Sequence, residues 1–141
     1  MSSPKVQGFN YDGYEEVAEK YGLSAAVSVQ LSGTRLITTS GHVGMDESGQ
    51  IAQSLRAQMT LAFKNVEKSI LAVEPSLTPA EVWKSVYQVT TYHVGGIQES
   101  VTDTMSEVAK EFLGAHRPSW AAIGVESLAG GCFEMVVWAV L

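Results

Sequence analysis

Basic residues are scarce in this 141-residue chain: nine Lys and Arg stand against fifteen Asp and Glu, a formal net charge of −6. A nucleic-acid binder needs clustered Lys and Arg to displace counterions from phosphates. Here no two Lys or Arg are adjacent, His116-Arg117 being the nearest approach, so nucleic-acid binding is disfavoured. Cysteine is almost absent. The single thiol, Cys132, cannot close an internal disulfide, which permits a reducing compartment without requiring one. No apolar run approaches the roughly 20 residues that cross a bilayer, so no membrane span is expected. Met1 to Asn10 lacks a basic head followed by an apolar stretch, and Ala139-Val140-Leu141 carries no sorting tag. Cytoplasm is the default expectation. G-x-G-x-x-G, a phosphate-loop motif, C-x-x-C and H-E-x-x-H are all missing. His42, His93 and His116 fall in different elements without zinc-ligand spacing, and neither metal nor cofactor is expected.

What is present describes one globular domain. Apolar residues make up 45% and charged residues 17%. That apolar share is slightly high for so short a chain, and oligomerisation is the common way to bury the surplus. Residues 1–22 read as an extension holding a short helix from Tyr11 to Tyr21, ended by Gly22. Residues 23–141 form the main domain. Ala26–Leu31 and Leu36–Thr39 read as strands around the Ser32-Gly33 turn, and a second turn follows at Asp46-Glu47-Ser48-Gly49. Leu55, Met59, Phe63, Val66, Ile70 and Val73 recur at helical spacing, which predicts a helix over 53–73 halted before Pro75. Thr78-Pro79-Ala80-Glu81 resembles a capping box. Val86–Val94 reads as a strand, Val101, Met105, Val108 and Phe112 as a second helix stopped by Gly114, and Ser119–Val125 and Phe133–Val140 as closing strands joined at Gly130-Gly131. The expectation is an α+β two-layer sandwich: a mixed sheet with two helices on one face. The other face then carries apolar residues that nothing in the chain covers, and further copies of the chain are the simplest cover.

Two places could carry chemistry. Thr39-Ser40-Gly41-His42 ends a strand. Its glycine admits a ligand close to the backbone and Ser40 offers a hydroxyl, although an ordinary strand exit has the same look. Glu134 interrupts an apolar strand, and a carboxylate there is either placed for proton transfer or an edge residue turned to solvent. Trp120 and Trp138 more commonly serve core packing. Arg117-Pro118 reads more often as a rigid connector, and Tyr92 and His93 must face opposite sides of their strand.

These residues resemble the Rid (YjgF/YER057c/UK114) family. Thr39-Ser40-Gly41-His42 with Asp46, Gly49 and Ile51 is similar to the signature T-S-G-Q-x-x-x-D-x-x-x-G-x-I. Ser24-Ala25-Ala26-Val27 is similar to its S-Q-A-V, and Val89–Tyr92, Met105–Val108 and Glu111–Pro118 resemble its central strand, second helix and RP turn. The match runs over about 23–140, and Tyr92-His93-Val94 with Arg117-Pro118-x-Trp120 looks like a divergent, largely fungal branch. The resemblance implies a chorismate-mutase-like fold, a barrel-like homotrimer with helices outside, and a small-molecule ligand in clefts between subunits. Archetypal members hydrolyse enamines and imines of the 2-aminoacrylate type, gripping the substrate carboxylate with an arginine; an older label of the family is endoribonuclease, which the acidic charge here does not favour. Carried over by position, Ser40 and Gly41 match the pocket's strand exit, and Glu134 matches the closing-strand glutamate if the preceding turn is one residue shorter. Trp120 stands where the arginine should be, Leu23 at the pocket tyrosine, His42 at the usual glutamine, and Arg117 falls too early to replace the missing cation. An indole has one donor and no charge. The expected activity is therefore on a small reactive carbonyl, imine or enamine compound, with His42 and Glu134 as an acid/base pair and Ser40, Gly41, Trp120, Leu23, Tyr92 and Arg117 around the ligand. A binding or regulatory trimer without turnover is the alternative.

Overall fold

The computed structural model describes residues 5–141. The expectation about a leader therefore falls partly on residues 1–4, outside the described part. In chain order the elements are β1 (Val6–Phe9), α1 (Glu15–Tyr21), β2 (Ala26–Leu31), β3 (Thr34–Thr39), β4 (His42–Val43), α2 (Leu55–Val73), α3 (Pro79–Ser85), β5 (Val86–Val94), α4 (Glu99–Leu113), β6 (Ser119–Val125) and β7 (Phe133–Val140). The period-3.6 stripe on α2 buries Met59, Phe63, Val66 and Ile70 completely. Ser54 caps α2, its hydroxyl accepting from the Ala57 N–H. Thr78 and Glu81 bond reciprocally as a capping box at α3.

The strands form one mixed sheet in the order β1-β2-β3-β7-β5-β6, antiparallel except for the β5–β6 pair that α4 connects. Because side chains alternate, Ile37, Val89, Phe133, Met135, Val137 and Ala139 point at the helices and are buried there. The α+β sandwich with helices on one face is as the sequence predicts. The opposite face presents Val27, Val29, Leu36, Tyr92, Ile123, Val136 and Trp138, of which Ile123 is 42% exposed. Among the described residues no element lies over them.

Two strands differ from expectation. Val6–Phe9 adds an antiparallel edge to β2, with Phe9 packed on the core; its four residues are too few to show a period in the sequence. β4 is only two residues long, and it takes over from β3 as the partner of β7: β3 pairs with Trp138–Val140, β4 with Glu134 and Met135. The helix expected from Tyr11 starts at Glu15, because Tyr11 to Tyr14 form a turn closed by Tyr14 N–H on the Tyr11 carbonyl. Among the described residues no helix is long and apolar enough to cross a membrane, and no three His, Cys, Asp or Glu side chains are grouped to hold a metal.

Candidate functional site

The hand-over from β3 to β4 makes the site. Ser40 and Gly41 lie in the break, where the backbone leaves β7: Ser40 N–H bonds the Ala25 carbonyl and its hydroxyl donates to the Ser24 carbonyl at 2.6 Å. Thr39 fills the interrupted ladder, its hydroxyl accepting from the buried Val137 N–H at 3.1 Å. Into the space left by the missing side chain of Gly41 comes the Glu134 carboxyl. A Cβ on residue 41 would stand 2.7 Å from its carboxyl carbon, so glycine here is required by contact, not by backbone angle. Glu134 faces the open side of the sheet, between Val43 of β4 and Tyr92 of β5. It is half-buried, and burial pushes its carboxyl above the usual value.

Tyr14, unremarked in the sequence, completes the group. Its ring is buried. Burial raises the pKa of its hydroxyl, a hydrogen bond with Ser40 pulls it back, and the charge of Glu134 raises it further. Only the pairing of residues 25–26 with β1 and β3 brings position 14 here, and no local pattern announces it. Thus Ser40, Gly41, Glu134 and Tyr14 are gathered, with Tyr92 directly across the ladder.

His42 is a correction. On β4 it alternates with Gly41 and Val43, so its ring turns to the helix side. There Nε2 meets the Ala25 carbonyl at 3.1 Å and the Ser69 hydroxyl at 2.7 Å. Ser69 already donates to the Asn65 carbonyl, so it accepts from His42, and the ring is the neutral Nε2–H form. Burial lowers its pKa to about 4. His42 cannot pair with Glu134 as an acid/base couple.

Trp120 and Arg117 are likewise elsewhere. Trp120 pairs with Val89, whose side chain faces the helices; its indole lies 6.2 Å from the Phe63 ring and donates to Thr91 Oγ1 at 3.1 Å. Within one chain it is on the opposite side of the sheet from Glu134. Arg117 donates to the carbonyls of Gly114 and His116, bracing the turn after α4. Leu23 stands 38% exposed at the end of α1.

The model of the family described as "Endoribonuclease L-PSP" matches residues 17–141. The chain belongs to the Rid family. A Rid relative, the RutC family protein YjgH of Escherichia coli (strain K12), is 30% identical over 102 residues, 72% of each chain. The solved structure of protein YJGH superposes with a TM-score of 0.80 at 26% identity, covering 98% of both chains. Rv2704 of Mycobacterium tuberculosis, a YjgF/YER057c/UK114 member, gives 0.71 at 19% identity over 96% of this chain and 99% of that one. The Rid fold is thus shared from β1 onward, including the strand that precedes the matched residues.

Proposed function

We propose that this Rid protein works as a homotrimer on a small, uncharged reactive carbonyl, imine or enamine metabolite, with Glu134 as its proton-transfer group. The observation that carries this is the Glu134 carboxyl, packed half-buried against Gly41 and raised in pKa by burial alone. A raised carboxyl can protonate a carbonyl oxygen or imine nitrogen, then recover a proton from the water that attacks the carbon. Of an imine, that water leaves a carbonyl compound and ammonia. The Tyr14 hydroxyl and backbone groups freed at the Ser40-Gly41 break supply further hydrogen bonds. A carboxylate substrate finds no clamp from its own chain, since Arg117 braces a turn and residue 120 is a tryptophan.

The trimer is supported by the open sheet face, with Val136 and Trp138 half-buried and Leu31, Ile123 and Val140 exposed. Sedimentation at micromolar concentration is expected to give three times the 15.1 kDa chain, and Val136→Asp is expected to shift it to monomer or aggregate. A trimer of unchanged mass in that variant refutes the role of this face.

Turnover is tested with freshly generated 2-iminobutanoate beside a neutral imine such as benzaldimine. Ammonia release from the neutral imine is expected to exceed background and to fall about 10²-fold or more in Glu134→Gln. An equally fast Glu134→Gln enzyme, or a clear preference for 2-iminobutanoate, overturns the reading. The loss of His42 as a second titrating group favours one other reading, a binding trimer without turnover. Saturable stabilisation by the neutral ligand with no catalysis would establish it.

A further inference from the structure

Three polar side chains of α2 are buried beside its apolar stripe: Gln58, Asn65 and Ser69. Spacings of seven and four put them on one face of the helix. A buried polar group costs stability unless it is hydrogen-bonded, so the partners of these three show what the face holds. We propose, resting on Glu134 as the proton-transfer group, that Gln58, Asn65 and Ser69 are positioning residues: they form a rail that fixes the two chain segments holding the Glu134 carboxyl against Gly41.

The first segment is β4. Asn65 donates through Nδ2 to the Val43 carbonyl at 3.0 Å and to the Met45 carbonyl at 2.9 Å, and Ser69 accepts from His42 at 2.7 Å. Val43 is the residue that pairs with Glu134, on a strand of two residues that is too short to hold its own register. Beside it, Gly44 lies so near α2 that a Cβ there would stand 2.4 Å from the Gln58 backbone. The second segment is the entry to β7. Gln58 Oε1 accepts from the Cys132 N–H at 3.0 Å, two residues before Glu134, and a Cβ on Gly131 would stand 2.6 Å from that oxygen. One helix face thus ties down the chain across the ladder from Glu134 and along its own strand.

The rail lies on the helix side of the sheet and Glu134 on the open side, so it acts through backbone placement alone. Placement matters twice. It sets where the carboxyl stands relative to a bound carbonyl or imine. It also keeps the carboxyl half-buried against Gly41, and burial is the cause of its raised pKa. A β4 released from α2 lets water in beside the carboxyl, which then titrates near its ordinary 4.5 and is a poorer acid at neutral pH.

The test is a ¹³C NMR titration of the Glu134 carboxyl in the full-length protein, its resonance assigned by its loss in Glu134→Gln. Asn65→Leu removes both donors to β4, and Ser69→Ala removes the contact to His42. Ser69→Ala replaces a helix residue with the best helix former, so it keeps the test open if Asn65→Leu does not fold. Each is expected to bring the midpoint down towards 4.5. Each is also expected to lower kcat for the neutral imine with KM little changed, by about 10²-fold for a shift of about 1 Å. Val82→Ala, which empties a fully buried site on α3, is expected to destabilise the fold and leave the midpoint at its wild-type value. A midpoint unmoved in the rail variants, or moved as far in Val82→Ala, overturns the proposal. The titration needs no substrate, so that outcome is distinct from failure of the Glu134 reading, which shows as an equally fast Glu134→Gln enzyme.

Discussion

Phe63→Ala is expected to destabilise the fold by about 3–5 kcal/mol, the usual cost of emptying a buried aromatic site. The reason is position. Phe63 is fully buried on α2 and its ring centre lies 5.0 Å from Phe112, 5.2 Å from Trp83 and 6.2 Å from Trp120. It therefore joins three helices to the edge strand through aromatic contacts, each worth about 0.5–1.5 kcal/mol beyond area burial. Trp83 cannot slide in to fill the void, because its Nε1 is tied to Glu67 at 2.9 Å. Phe63→Leu keeps most of the volume and should cost about 1.5 kcal/mol or less. Urea unfolding followed by circular dichroism reads both values. A loss below about 1 kcal/mol for the alanine variant would mean the neighbours collapse freely, contrary to the packing described. Against a total stability of about 5–15 kcal/mol for a domain, the expected loss is large, and it should also loosen the Trp120 indole that packs on the Phe63 ring.

The strands and helices with strong periods were legible in the sequence for a physical reason. Each buries one face, so α2, α4 and β7 carry patterns that survive without any knowledge of neighbours. Glu134 was legible for the converse reason: one carboxylate in an apolar strand breaks the pattern it sits in. Legibility stops where position depends on pairing. Whether residue 42 or residue 41 faces Glu134 follows from a two-residue strand, and a one-residue step reverses the answer. The family comparison at that position invites the same error, since matching a motif aligns residues but not the side each takes. Trp120 repeats the lesson. Its partner Val89 is buried on the helix side, so within one chain the indole takes that side too. Tyr14 reaches Ser40 only because β1 and β2 fold the N-terminal segment back, which no spacing along residues 5–14 reveals.

His42 carries a pH dependence whose sign follows from its burial. Its folded pKa of about 4 lies below the ordinary 6.5, so the unfolded chain holds the proton more tightly. Stability is then complete above about pH 6.5 and lost as pH falls towards about 4. A gap of 6.5 − 4 = 2.5 units amounts to about 3 kcal/mol over the whole interval. The groups around the ring explain why the charge is so little offset: the Tyr11 and Tyr14 rings lie tilted and edge-on at 6.0 and 5.4 Å, Ser69 contacts Nε2, and only the Ala25 carbonyl favours the charged form. His93, lowered by burial too, adds in the same direction. Glu134 acts oppositely, because its raised carboxyl takes up a proton more readily in the folded chain. His42→Gln preserves an amide donor for the Ala25 carbonyl and Ser69 but cannot titrate. Near neutral pH it should cost about 1 kcal/mol or less, while at about pH 4.5 it should be more stable than the wild type. Urea midpoints for both proteins between about pH 7 and pH 4.5 provide the comparison. Parallel curves would show that His42 remains uncharged, or becomes charged, equally in both states, and that its burial beside Ser69 is not what makes the fold acid-labile.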